Sequence, residues 1–271
     1  IKRPEDILTH SPPIPEALPE VKAYALGETR VIVNSRIIGD SEWRSAKAKE
    51  IFFYLLCQNK SANREEIVTC IWPDVSQAKG YSLFHSNMYR LRRALFDTVF
   101  DTVILNQNGS YTLNPGVSLW FDVREFENNI SQAKRYSSTS QYCIPYLKEA
   151  EKVYNGPFLK DFYSEWVETL RRELEHKYLE VLASLAIYNQ KEGKLLQAIE
   201  ILEESLDIDP FQEEIYYDLA KCYLASGDQN SALRVCRKYS NIIREEMGSK
   251  PSKRIEELIG GITSPKQVII T

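Results

Sequence analysis

The sequence predicts a mainly α-helical chain with a small β component, and three observations carry that prediction. Residues 21–115 contain three short β-branched runs, three helical patterns and a glycine-containing hairpin, the order of a winged helix-turn-helix domain. From residue 116 onward the pattern is almost purely helical. Within that part, Leu185-Ala186, Gly193 and Ala198 recur as Leu219-Ala220, Gly227 and Ala232, each displaced by 34 residues, the period of tetratricopeptide helix pairs. The expected organisation is a proline-rich linker over 1–20, a winged-helix domain over 21–115, a tetratricopeptide-like domain over 116–260 and a tail over 261–271.

The linker reading rests on Pro4, Pro12, Pro13, Pro15 and Pro19, because proline stiffens a segment and denies it backbone donors. The chain also starts at Ile1 without methionine. The two features together lead to the expectation of a signal-receiving module upstream, such as the phosphoacceptor receiver of a two-component system.

Strands are expected at Val21–Leu26, Thr29–Val33 and Arg36–Ile38, divided by Gly27-Glu28 and Asn34-Ser35. Over Ser45–Gln58, Ala48, Ile51, Phe52, Leu55 and Leu56 recur at helical spacing and predict an amphipathic helix. Asn63 followed three residues later by Glu66 marks a second helix start, which must stop near Trp72-Pro73. A third helix is expected from about Gly80 to Phe96, with Phe84, Met88, Leu91 and Leu95 as its buried stripe. Thr102–Leu105, the turn Asn106–Ser110 and Tyr111–Leu113 form the closing hairpin. Further helices are expected at Tyr142–Tyr154 and Leu159–Leu182, and Asp209-Pro210 sits between the two repeat copies.

Several function classes lack their residues. The chain shows no Gly-rich phosphate loop, no HExxH and no GxSxG, so an enzyme is not expected. Its five cysteines form no CxxC pair, and its three histidines lie on unrelated segments, so neither a metal nor another cofactor is expected. The cysteines read as reduced thiols. No apolar run is long enough to cross a bilayer and no secretory signal is visible, so the expected address is cytoplasmic, without a membrane partner.

Net charge is −4, but it is unevenly spread. Residues 20–115 carry 12 Lys/Arg against 10 Asp/Glu, whereas 116–271 carry 20 against 25. Lys79 to Arg93 holds four basic side chains and no acid. A helix that enters a major groove needs one face anchored in a core and another offering donors. The third helix satisfies both requirements, which points to double-stranded DNA as the partner. Ser86, Asn87 and Arg90, with His85 beside them, are the candidate base readers. Arg92, Arg93 and Tyr89 are candidates for phosphate contact, which sets register rather than sequence. The hairpin tip offers Asn106, Asn108, Ser110 and Tyr111 but no basic side chain, so any wing contact must be made by amides and hydroxyls. The alternative is a tetratricopeptide scaffold that binds protein partners and no DNA; it predicts no salt-dependent duplex affinity.

Trp43-Arg44-Ser45-Ala46-Lys47-Ala48, Tyr54-Leu55-Leu56, Arg64-Glu65, Ile71-Trp72-Pro73-Asp74 and Tyr89–Leu95 together resemble the OmpR-type winged helix of the Streptomyces antibiotic regulatory protein family. Phe121-Asp122-Val123, Tyr154–Leu159, Trp166 and Asp209-Pro210 through Gly248 and Pro251-Ser252 resemble that family's bacterial transcriptional activator domain. The resemblance spans roughly residues 21–258. It implies activation of transcription from direct repeats, by a homodimer or by tandem copies, with contact to RNA polymerase. It also implies that Trp43 and Lys47, at the start of the first helix, border the DNA backbone. The sequence departs from the large fused regulators of that family in having no nucleotide-binding P-loop after the helical part, and its proline-rich start resembles the tether that joins a phosphoacceptor receiver to its output domain although the 271 residues hold no receiver, so the resemblance leaves open how the protein is switched.

Overall fold

The computed structural model describes residues 19–58, 60–95, 103–136 and 140–263. Residues 1–18 of the expected linker, Phe96, Thr102 and the last eight residues of the expected tail lie outside these, while Glu20, expected in the linker, opens the first strand. The chain divides into two compact units. One holds Thr29–Phe121 and the described residues before Ala25; the other holds Ala25–Glu28 and the chain from Asp122.

In the first unit, β1 (Glu20–Tyr24), β2 (Arg30–Val33) and β3 (Arg36–Ile37) form an antiparallel meander, with Val21 opposite Val33 and Ala23 opposite Val31. These four side chains are buried because period-2 alternation sends them all to one face. The turn into β3 places Asn34 and Ser35 at φ 48° and 68°, the left-handed pair a tight hairpin needs. The second small sheet has the order β4-β6-β5, from β4 (Ala62–Asn63), β5 (Ile104–Gln107) and β6 (Ser110–Leu113). A fourth strand of the first sheet, β7 (Ser118–Phe121), runs parallel to β1, with Leu119 beside Val21 and Phe121 beside Ala23. Neither β4 nor β7 was expected from the sequence.

Among the described residues, this unit has the helices α1 (Asp40–Trp43), also unexpected, then α2 (Ala46–Cys57), α3 (Arg64–Ile71) and α4 (Gln77–Ala94). The apolar stripe of α2 is buried as expected, together with Phe53. The start of α3 is a reciprocal cap: Asn63 Oδ1 accepts from the Glu66 amide at 2.9 Å, and Glu66 Oε2 accepts from the Asn63 amide at 2.8 Å. That helix ends at Ile71, two residues before Pro73. The start of α4 corrects the expectation of Gly80. The helix begins at Gln77, and Gly80 is buried inside it, where an added Cβ would lie 2.3 Å from Val68 Cγ1. Glycine therefore sets the close approach of α3 to α4 rather than a helix boundary.

The second unit is helical: α5 (Asp122–Ala133), α6 (Ile144–Val153), α7 (Glu165–Lys191), α8 (Leu195–Ile208), α9 (Glu213–Ala225), α10 (Gln229–Met247) and α11 (Lys253–Thr263). Each helix packs on the next in sequence. The 34-residue period is visible bond by bond. Asn189 O accepts from the Lys194 amide at 2.8 Å, and Tyr223 O accepts from the Asp228 amide at 2.8 Å. Gly193 and Gly227, in the two turns, have φ 72° and 85°, which closes the helix end as a left-handed C-cap. Ala186, Ala198, Ala220 and Ala232 are all buried in one cluster, where small side chains let the paired helices approach.

Residues 25–28 are threaded into this unit. Buried Asp122 accepts from the Ala25 and Leu26 amides at 2.7 and 2.8 Å, and from the Val123 amide at 2.8 Å. Burial pushes its carboxyl up to about 6 although those amides pull it down. A raised carboxyl pKa in the folded state means that the fold favours the protonated form. The contribution is full below about pH 4 and is lost as pH rises through about 6. The stability difference between the wild type and Asp122→Asn should shift by up to about 3 kcal/mol across that window, in favour of the variant as pH rises. Urea titrations of both at pH 4.5 and 7 measure it, and a pH-independent difference would refute it.

Candidate nucleic-acid interface

The site is built on α4. Phe84 and Leu91 are fully buried and Met88 is nearly so, which fixes the helix to the core and turns its opposite face outward. On that outward face, His85, Ser86, Tyr89, Arg90, Arg92 and Arg93 are exposed. Two hollows flank the helix. One, of about 590 Å³, lies between α4 and the β5–β6 hairpin and is lined by His85, Tyr89, Arg92, Asn106, Gln107 and Tyr111, among others. The other, of about 520 Å³, is lined by Arg44, His85, Ser86, Tyr89, Arg90 and Arg93, with no carboxylate among its walls.

The hairpin tip is tighter than expected. Asn108 and Gly109, at φ 54° and 84°, make a two-residue turn between Gln107 and Ser110. Asn106 Oδ1 accepts from the Gly109 amide at 3.1 Å, so its carbonyl serves the turn, while Asn108 is exposed and Ser110 half-buried. Tyr111 packs edge-on against Phe84, with ring centroids 5.5 Å apart. Burial pushes its phenol up, against the pull of Arg64 and Arg92.

Three expected site residues are placed elsewhere. Asn87 is 3% exposed. Its Nδ2 donates to Leu83 O at 2.8 Å and its Oδ1 accepts from Ser45 Oγ at 2.6 Å, so the amide ties α4 to the start of α2 and has no edge to offer a base. The sequence held the warning: Asn87 stands three residues after Phe84 and four before Leu91, on the buried stripe. Trp43 is 2% exposed, with its ring against Phe52, and cannot reach a phosphate. Lys47 Nζ is held by Ile71 O at 3.1 Å and by buried Glu50 at 2.8 Å. A buried carboxylate needs its cation, so Lys47 serves the core. One residue that sequence reasoning passed over, Arg44, stands in the second hollow.

Among the described residues, no helix is long and apolar enough to cross a membrane, and the five cysteines form no disulfide.

The model of the bacterial transcriptional activator domain matches residues 121–263. Among curated proteins, the transcriptional regulatory protein MoaR1 of Mycobacterium tuberculosis is 25% identical over 209 residues, covering 75% of this chain and 67% of that protein. The regulatory protein AfsR of Streptomyces coelicolor is 21% identical over 206 residues, which is 20% of its own length. Among solved structures, Mycobacterium tuberculosis EmbR in complex with a low affinity phosphopeptide superposes with a TM-score of 0.70 at 18% identity, over 90% of this chain and 65% of that one. The last likeness concerns the fold. The expected fold class, a winged helix-turn-helix followed by a tetratricopeptide-like helical domain, agrees with it.

Proposed function

Since the chain belongs to the bacterial transcriptional activator domain family, in the arrangement of the Streptomyces antibiotic regulatory proteins, and is a transcriptional regulator, we propose that it acts by binding duplex DNA through α4 and activates transcription. The observation that carries this reading is the outward row of Ser86, Tyr89, Arg90 and Arg93 on a helix whose other face is locked by Phe84 and Leu91. Such a face offers donors to a major groove on a rigid support. Ser86 and Arg90 lie one turn apart and are the base readers in this reading, with His85 beside them. Arg92 and Arg93 follow the groove edge as phosphate contacts, and Tyr89 stands between the two sets. Asn106 and Tyr111 line the hairpin side of the first hollow, and with Asn108 and Ser110 at the turn they would add only uncharged contacts.

The helical unit is then the surface for RNA polymerase or for a second copy, since its acidic balance makes it a poor DNA surface. Two copies on direct repeats would supply the second contact that a single small DNA-binding unit lacks.

Selection of bound sequences from random duplexes supplies the operator for the test. Arg90→Ala should then weaken that specific duplex by about 1–3 kcal/mol and relax preference at one position. Arg93→Ala should weaken specific and nonspecific duplexes alike and lower the salt slope by about one. The absence of any salt-dependent duplex affinity in the wild type would refute the reading and favour a protein-binding scaffold.

A further inference from the structure

The neighbourhood of α1 contains one basic side chain that its surroundings do not neutralise. Each acid of α1 is already engaged. Asp40 Oδ1 pairs with Lys49 Nζ at 2.9 Å, while Glu42 takes the Arg36 guanidinium at 2.6 Å and the Gly39 amide at 2.8 Å. Lys47 is likewise committed to Glu50. Arg44 makes no ion pair with any described residue, is exposed, and opens onto the hollow that Ser86, Arg90 and Arg93 share.

Its backbone supplies an independent observation. Arg44 caps the C-terminus of α1 at φ 52°, ψ 2°, a left-handed conformation that a side chain adopts at a cost of about 1–2 kcal/mol and that glycine adopts freely. A glycine would serve the cap better, so the Arg44 side chain stands at a position where the backbone disfavours it. The next residue explains how its place is held. Ser45 donates to Asn87 at 2.6 Å, so the chain bearing Arg44 is bonded directly to α4.

We infer that Arg44 is a DNA-phosphate contact, standing with the phosphate contact Arg93 around the hollow onto which the base reader Arg90 also opens, and that the part-buried Ser45–Asn87 hydrogen bond is the positioning device that holds Arg44 in register with the helix. The inference rests on the proposed binding of duplex by α4. It transfers to Arg44 the backbone contact that the family resemblance implies for its neighbours Trp43 and Lys47. A guanidinium contact to phosphate sets register and carries no base information, and Arg44 and Arg93, with no carboxylate lining the hollow they share, would each neutralise backbone charge there.

The test is Arg44→Gly in the full chain, because glycine relieves the backbone and keeps the fold. Thermal unfolding should show no loss of stability. Affinity for the selected operator and for an unrelated duplex should fall together, with an unchanged base-preference profile. The salt slope should drop by about 0.9, so that the wild-type advantage shrinks about 3–4-fold between 50 and 200 mM salt. An unchanged slope in a folded variant overturns the assignment, as does an altered base preference with the slope intact. Arg90→Ala, measured in parallel, separates the two proposals. If it weakens binding while Arg44→Gly does not, only Arg44 has been misassigned; if neither has any effect, the α4 reading fails as well.

Discussion

Gly27→Ala should destabilise the second unit by about 2–5 kcal/mol, adding the left-handed backbone cost to that of overpacking. Gly27 stands at φ 89°, and an added Cβ would lie 2.4 Å from the carbonyl oxygen of Asn155. That oxygen belongs to backbone and cannot swing aside as a flexible side chain would. The segment has no slack on either flank: the Gly27 amide donates to Pro157 O at 3.2 Å, and the Leu159 amide donates to Ala25 O at 2.8 Å. Gly156, at φ 132°, lies on the facing segment, its own absent Cβ 3.3 Å from the Gly27 Cα. Denaturant unfolding followed by far-ultraviolet circular dichroism measures the loss. A change under about 1 kcal/mol would mean that the facing backbone can retreat, contrary to the close packing expected of such sites.

Phe84→Ala should cost about 3–5 kcal/mol, the usual range for removing a buried aromatic ring. Phe84 is fully buried at the centre of the α4 stripe, and its ring meets Tyr111 of β6 at 65°. The ring therefore supports both the helix and the hairpin beside it. In the proposed reading, specific duplex affinity should fall even at temperatures where the variant stays folded, because the readers on α4 lose their fixed aim. The salt slope should stay near the wild-type value, because every guanidinium remains. Equal loss of slope and affinity would indicate that the variant has simply unfolded.

Where local chemistry decided an element, the sequence showed it. The stripe of α4, the Asn63–Glu66 cap and the stop before Pro73 each follow from spacing within one or two turns. The repeat was legible for a related reason, since glycine at the turns and alanine at the contacts are demanded twice, 34 residues apart. The parallel pairing of β7 with β1 was not legible, because Ser118–Phe121 has no local partner and gains its ladder only from a strand at the other end of the unit. Among the site residues, Asn87 has the spacing of the buried stripe, but an amide beside Ser86 and Arg90 reads as a base contact until its partners are known. Its two hydrogen bonds, to Leu83 and Ser45, are what let a polar side chain occupy that interior position. Trp43 followed the same logic, since an aromatic beside a helix start can face either way and here packs on Phe52.

The threading of residues 25–28 into the helical unit also imposes an order on synthesis. Ala25 and Leu26 leave the ribosome long before Asp122, which stands 97 residues from Ala25. At about 5–20 residues per second, those two amides wait roughly 5–20 s for the carboxylate that satisfies them. β1, just upstream, waits as long for its parallel neighbour β7. The nascent chain must therefore carry an open sheet edge until Phe121 has been made, and the Gly27 turn stays open longer, until Pro157 and Leu159 follow.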